Sequence, residues 1–305
     1  MKNVTAILTA DIELRMHAPI CRTDDYWETV QRKIRWLAGL QLKHKCPILD
    51  GGDLFDKRYK TNPSHELLGW VLKNLPRPFC TVPGNHDLPG KSYENYKNSA
   101  MAVLENAKIL KVPHPYMEFI GEHKDIGLYG FPWGSPIELP AFFADVNVAL
   151  IHTMVYEKNP PFPGCEGFRA DQLMKKLKGF NLIVSGHNHQ TFVYQRGKQL
   201  LVNPGSLIRN DADQIDHRPS VFLWDHHSNE VEQVFVPIKK NVITREHIDE
   251  KEIEQDRLDA FISKLGDVTE HSINFLKNLE NAANRTDIPV DVRSKIDQYI
   301  EGIDK

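Results

Sequence analysis

The sequence predicts an α/β chain that ends in a separate helical region. Three observations carry this reading. Short apolar runs at residues 4–10, 47–49 and 78–82 alternate with stretches whose apolar residues recur at three- and four-residue steps, the pattern of buried strands interleaved with amphipathic helices. Residues 191–237 hold only short strand-like runs broken by turn residues. From residue 246 the chain turns charged, mildly acidic and strand-poor. Repeated strand-then-helix units imply a sheet with helices packed on both sides. The expected division is residues 1–238 for the main domain and 239–305 for a helical appendage.

The elements follow in order. After the first strand and a polar connection, Trp27, Val30, Ile34, Leu37 and Leu40 form one helix face, with Arg32, Lys33 and Arg35 between them. Asn62-Pro63-Ser64 has the chemistry of a helix start, and Leu67, Leu68, Val71, Leu72 and Leu75 are its stripe until Pro76 and Pro78 stop it. Residues 92–107, with Tyr93, Tyr96, Met101 and Leu104, predict a further helix. Residues 108–131 predict short strands broken at Pro113, Pro115 and Gly121. Further strands are expected at 146–151, 181–185, 191–195, 199–202, 220–224 and 230–237, with a Pro-rich loop at 159–164. In the appendage Ile253, Leu258, Phe261, Ile262 and Leu265 have helical spacing, and Pro289 precedes a last helix with Val292, Ile296 and Ile300. A structural appendage and a partner-binding arm both fit that pattern.

The apolar runs share an ending. The first runs into Asp11-Ile12-Glu13, the second into Asp50-Gly51-Gly52-Asp53-Leu54-Phe55-Asp56, and the third into Gly84-Asn85-His86-Asp87. Residues 146–151 deliver His152, and 181–185 lead to Gly186-His187-Asn188-His189. Strand ends that face a cleft are where α/β proteins place their chemistry. A turn or a satisfied core histidine accounts for any one of these endings, but not for all of them together. Carboxylate, amide and imidazole donors gathered from distant segments indicate a metal site.

In this order the set resembles the calcineurin-like metallophosphoesterases over roughly residues 4–237. The resemblance implies a two-sheet β-sandwich flanked by helices, with Asn203-Pro204-Gly205-Ser206 as the turn after Gly-His-x-His. It implies two divalent ions, which in such sites lie about 4 Å apart and activate a water for attack on phosphorus. By the family pattern Asp53 bridges the ions, Asp11 and His189 hold one, and Asn85, His152 and His187 hold the other. His86 becomes the phosphate-binding general acid, and Asp56 the carboxylate that fixes its tautomer. A helix-capping or turn role for Asp56 is the simpler alternative.

One position departs from the family, whose first motif is normally Asp-x-His. Here Glu13 stands in place of the histidine. A glutamate reaches about as far as the distal nitrogen of histidine, so Glu13 is counted among the ligands of the first ion; His17 lies too far along the chain to substitute. Its added charge favours a hard ion, Mn, over Zn, with Fe and Zn left open. Lost or weakened activity is the other consequence such a change could have.

Lys57-Arg58 and Asp87 stand where protein Ser/Thr phosphatases of the family carry Arg-Gly and Glu. Gly-Asp-Leu-Phe-Asp, Pro63-Ser64 and Gly-Asn-His-Asp instead look like the nuclease subunit of SbcCD-type DNA repair complexes, and the segment from Cys21 to Asp25 resembles compact phage-encoded forms. That likeness implies a DNA exo- or endonuclease that dimerises and holds an SMC-like ABC ATPase through its C-terminal helices. The alternatives are a small-molecule or nucleotide phosphodiesterase, and a weakly active or inactive partner-binding protein.

Composition sets the outer limits. With 305 residues, 38 basic and 41 acidic, the net charge is −3, so no global basic field marks a nucleic-acid binder, although a local groove can still be positive. Cys21, Cys46, Cys80 and Cys165 lie far apart with no Cys-x-x-Cys pair, which suits a reducing compartment. No signal peptide or membrane-length apolar run is evident, and the expectation is a cytoplasmic protein without membrane contact. Nothing suggests a Ser-His-Asp triad around Ser206 or a Gly-rich nucleotide loop.

Overall fold

Successive side chains of a strand point to opposite faces, and in the first strand both faces are covered. β1 (Ala6–Thr9) is buried throughout. Ala6 and Leu8 enter one hydrophobic cluster and Ile7 another. This is a computed structural model, and it describes residues 3–56, 62–118, 123–248 and 289–303.

β1 lies in a five-stranded sheet with β2 (Ile48–Asp50), β3 (Phe79–Cys80), β12 (Ser220–Asp225) and β13 (Glu230–Phe235), in the order β13-β12-β1-β2-β3. β1, β2 and β3 are parallel, and β12 runs antiparallel to β1. The second sheet has six strands. β4 (Tyr116–Glu118), β5 (Ile126–Phe131), β6 (Val146–His152), β9 (Leu182–Gly186), β10 (Phe192–Arg196) and β11 (Gln199–Asn203) are arranged β10-β11-β9-β6-β5-β4. β5, β6, β9 and β11 are parallel, with antiparallel strands at both edges. β7 (Val155–Tyr156) and β8 (Phe168–Arg169) form a small ribbon beside it.

Packing follows the two-fold alternation. Leu8, Leu49, Cys80, Phe222 and Trp224 of the first sheet meet Leu128, Val148, Leu150, Val184 and Val202 of the second in one cluster. The opposite face of the first sheet carries Ile7, Ile48, Phe79 and Val221 against helices α1 (Tyr26–His44), α2 (His65–Asn74) and α3 (Ala100–Asn106). On the far face of the second, Tyr129, Ala149, Ile151 and Ile183 pack with Ala170, Leu173 and Met174 of α4 (Ala170–Lys176). The result is the expected mixed α/β fold, two sheets flanked by helices. Helix starts are capped as the sequence indicates. The side chain of Asp25 accepts from the Glu28 amide, and that of Ser64 from the Leu67 amide.

Some elements differ from expectation. The helix expected over 92–107 is a 3₁₀ segment at Tyr93–Asn98 followed by α3. Ser99 separates them because it takes an extended conformation and its Oγ accepts from the Ala102 amide, which starts a new helix. Only Phe79–Cys80 of the run at 78–82 joins the sheet; Thr81 turns its amide to Lys111, and the chain leaves for the site. Helix α4 had no counterpart in the sequence reading.

The chain divides into two compact units, residues 1–244 and 245–305. Residues 239–244, expected in the appendage, fall in the first. Ile243 bridges to Arg22, and the Thr23 and Thr244 amides donate to Val242 and Cys21. In the second unit, helix α5 (Val290–Ile303) follows Pro289 as expected, while Ile253, Leu258, Phe261, Ile262 and Leu265 lie outside the described residues. Among the described residues no helix is long and apolar enough to cross a membrane.

Leu8 is fully buried between the sheets and Leu42 is 76% exposed on α1. Leu8→Ala is expected to destabilise the protein by about 2–5 kcal/mol, and Leu42→Ala by under about 0.5 kcal/mol, measured by chemical denaturation.

Candidate metal centre

Where β1 and β2 leave their sheet, the two segments stay side by side. The amides of Asp11, Glu13 and Leu14 donate to the carbonyls of Gly52, Asp53 and Leu54 at 2.8–2.9 Å. This extension bends through left-handed residues that are not glycine, namely Asp11 (φ 47°), Glu13 (φ 50°) and Asp53 (φ 55°), and His187 at the end of β9 shares the feature (φ 81°). Each such residue costs of order 1–3 kcal/mol, and such residues cluster at functional sites. The acidic side chains are therefore aimed by backbone geometry that local preference opposes.

Asp53 is held tightly. One carboxylate oxygen accepts from the His86 amide at 2.8 Å, and a Cβ at Gly84 would stand 2.0 Å from that same oxygen. Its other oxygen lies 3.1 Å from Nε2 of His152. His152 Nδ1 is 2.8 Å from the Gly51 carbonyl, which can only accept, so Nδ1 donates and Nε2 faces inward. There it meets Asn85 Oδ1 as well, at 3.2 Å. Asp53, His152 and His187 each present a ligand atom within 4.8 Å of the others.

Two buried carboxylates organise the loops behind these residues. Asp87 accepts from the amides of Leu54, Phe55 and Gly84 at 2.9–3.3 Å, fastening the Gly-Asp-Leu-Phe-Asp segment to the Gly-Asn-His-Asp segment. Asp50 accepts from Gly52 N and from Thr81 Oγ1.

On the other side of Asp53 lies Glu13. It is buried, with Oε1 3.4 Å from His86 Nδ1 and 3.5 Å from His189 Nε2. Glu13, Asp53 and His86 form a second group of mutually close donors. Asn210 donates to the Glu13 carbonyl and lies 3.5 Å from Oε2, while Tyr26 donates its hydroxyl to Asn210. Gln214 lies 3.2 Å from Nδ1 of His189. Both oxygens of Asp11 accept from the His187 amide.

The sequence-predicted residues thus gather in one place, with two differences in detail. Asp56, expected to orient His86, is 4.0 Å from it and takes Arg15 as its close partner at 2.8 Å; Glu13 is the nearer carboxylate. Neither close group at this site includes Asp11 or His189. Trp133 escaped the sequence reading; its ring is 4.7 Å from that of His187 and 6.2 Å from that of His152. Asn210 and Gln214 escaped it too, since no local pattern ties them to partners so distant in the chain.

Electrostatics divides the histidines. Burial opposes charge on His152, but Asp53 and then Asp11 overcome it and raise its pKa to about 10. Burial likewise opposes charge on His86, and Glu13, Asp53 and Asp56 outweigh it, for a value of about 9. His187 goes the other way: burial and the neighbouring His152 lower it to about 3, so its ring is neutral. Burial pushes Asp53 up, yet His152 prevails and brings it to about 2. Burial raises Asp11 to about 6, against the pull of His189 and His152.

These residues fit a divalent cation. His152 Nε2, Asp53 Oδ2 and Asn85 Oδ1 converge with only acceptors among them unless a proton sits on the imidazole, and a cation can take that proton's place.

The sandwich and a carboxylate–imidazole centre at its strand ends define a metal-dependent hydrolase. The chain belongs to the calcineurin-like phosphoesterase family, whose sequence pattern matches residues 8–191. It is similar to the DNA double-strand break repair protein Mre11 of Saccharolobus solfataricus, at 25% identity over 178 residues, or 54% of this chain. The match spans 43% of that relative's length. Among solved structures it resembles an archaeal phosphodiesterase, at 11% identity and a TM-score of 0.39, covering 76% of this chain and 99% of the other. It also resembles the 5′-nucleotidase precursor of Thermus thermophilus, at 14% identity and a TM-score of 0.43, covering 85% of this chain and 59% of the other.

Asp87→Ala leaves three buried amides without their acceptor. It is expected to cost about 3 kcal/mol or more, at about 1–3 kcal/mol per unsatisfied group, and to lower metal content. Thermal melting and elemental analysis check both.

Proposed function

We propose that the chain is a two-metal phosphodiesterase that hydrolyses DNA, as an exo- or endonuclease subunit. The observation that carries the two-metal reading is Asp53, which faces His152 at 3.1 Å on one side and joins buried Glu13 in a second group of close donors on the other. In this reading Asp53 would be shared by both ions; Asp11, Glu13 and His189 would hold one, and Asn85, His152 and His187 the other. When bound, such ions supply the charge that activates a water and steadies the leaving oxygen. Mn is the ion the mixed oxygen and imidazole set favours once Glu13 is counted.

His86 supplies the proton. Its side chain is a quarter exposed, with Nδ1 3.4 Å from Glu13. As the bond from phosphorus to the leaving oxygen breaks, His86 gives its proton to the alkoxide, a contribution of typically about 10²–10⁴-fold. Glu13 and Asp56 face Nδ1 of His86, at 3.4 and 4.0 Å, and orient the ring so that the proton leaves from Nε2; Arg15 holds Asp56.

Similarity to a DNA double-strand break repair protein and the Gly-Asp-Leu-Phe-Asp and Gly-Asn-His-Asp motifs support DNA as the diester substrate. A homodimer, and an SMC-like ATPase held by the C-terminal helices, complete the reading.

The deciding experiment measures Mn-dependent cleavage of linear DNA and of a bis-aryl phosphodiester side by side. Cleavage of both is expected; cleavage of the small ester alone would move the substrate class to small phosphodiesters, and silence on both would make the chain a non-catalytic member.

His86→Ala is expected to lower turnover at least about 10²-fold with both ions retained, whereas Asp53→Ala should deplete both. Loss of an ion from the His86 variant would make His86 a ligand.

Glu13→His is expected to raise diester turnover near neutral pH, since the glutamate's negative charge partly cancels the charge that acidifies the attacking water. An unchanged pH–rate profile would count against this role for Glu13.

A further inference from the structure

The end of the sandwich remote from Asp53 carries a second cluster of donors. The Asp53 centre lies at the C-terminal ends of β1, β2, β6 and β9. β5 runs parallel to β6, and β12 antiparallel to β1, so the start of β5 and the end of β12 share the opposite end. His123 and Asp125 precede β5, and His226 follows β12.

These three residues each offer a ligand atom, all within 4.8 Å of one another. His226 Nε2 is 4.0 Å from Asp125 Oδ2, and the rings of His123 and His226 are 4.3 Å apart. The His226 side chain is only 4% exposed and Asp125 is 42% exposed, so a fixed imidazole faces a carboxylate free to adjust. His226 is also oriented from behind. Thr5 Oγ1 accepts from the His226 backbone amide at 3.0 Å and lies 2.8 Å from Nδ1. With Nδ1–H donated to that hydroxyl oxygen, the Nε2 lone pair points at the cluster, the arrangement usual for a histidine that binds metal. The His227 ring lies against that of His226, tilted by 40° with centroids 3.7 Å apart.

We propose that His123, Asp125 and His226 bind one divalent transition ion, of the Zn²⁺ class, that ties the start of β5 in one sheet to the end of β12 in the other. Two imidazoles and a carboxylate are a donor set zinc accepts, at about 2.0–2.2 Å from each ligand atom. Ligand atoms at that distance around a tetrahedral ion stand about 3.3–3.6 Å from one another, close to the 4.0 Å between His226 Nε2 and Asp125 Oδ2. Because the two anchors sit in different sheets, the ion acts as a cross-sheet clamp, and it stands apart from the Asp53 centre and its chemistry.

The test compares the metal-stripped full chain with His123→Ala and Asp125→Ala, dialysed against Zn²⁺ and analysed for ions per chain. Both variants are expected to hold one ion fewer than the parent, to show a smaller rise in Tm on adding Zn²⁺, and to keep Mn-dependent hydrolysis of a bis-aryl diester within about twofold. The comparison is a difference, so it stands whatever number of ions the Asp53 centre takes or whichever substrate it cleaves. Equal ion content in parent and variants overturns the proposal, as does loss of the ion together with loss of hydrolysis. Asp125→Ala alters an exposed side chain and carries the test alone if His123→Ala fails to fold.

Discussion

Backbone contact between the two sheets at a single end is the constraint on which the rest of the molecule depends. Packed sheets normally stand about 10 Å apart, separated by side chains. At the end of β2, a Cβ on Gly51 would lie 2.8 Å from the Gly186 amide nitrogen, and one on Gly186 would lie 2.5 Å from the Gly51 oxygen. Glycine at both positions removes the spacer. Donors carried by the first sheet, Asp11, Asp53 and Asn85, thereby come within reach of His152 and His187 from the second. The same closeness lets the Gly51 carbonyl orient His152, so one contact both closes the sandwich and sets the direction of a donor atom.

The strain stored at this end is offset by shared hydrogen bonds. Asp11, Glu13, Asp53 and His187 all adopt left-handed conformations, which local preference disfavours for side chains with a Cβ. Each is fastened by backbone or carboxylate partners from another segment: Asp11 by Gly52 and His187, Glu13 by Asp53, and Asp53 by His86. Asp87 then holds the Asp53 and His86 loops to each other. Removing one member would loosen several, which is how a buried polar network comes to specify a single geometry.

What the sequence made legible follows from this design. The donor residues stand at the ends of apolar runs, and a run and its terminus are local features; the alternation of strands and helices was visible for the same reason. Long-range partners were not. Asn210 meets Glu13 only after the chain has built both sheets, and Trp133 reaches His187 from a loop with no periodicity of its own. The break at Ser99 was hidden because Tyr93 and Tyr96 before it, and Met101 and Leu104 after it, each keep a three-residue step, although a serine that bonds the amide three residues on is a helix start. The placement of Glu13 was half legible. Its presence in the first motif was plain, but its position between His86 and His189 depends on φ 50° at that residue, which no composition rule foretells.

Charge links the folded centre to its occupancy. His152 Nε2 faces two oxygens, so some positive species must stand between them, and without an ion that species is the proton held with a pKa of about 10. An ion at this position replaces the proton, and binding near neutral pH therefore releases one. His187 has no such proton to give up, because burial and His152 already keep it neutral. The two imidazoles, whose rings are 5.2 Å apart, thus stand ready in different ways: one holds its place by a proton that mimics the cation, the other by an open lone pair. Retaining His152 in its ion-binding pose through a proton lets the same set of loops stay folded with or without metal, and makes affinity for the ion rise with pH.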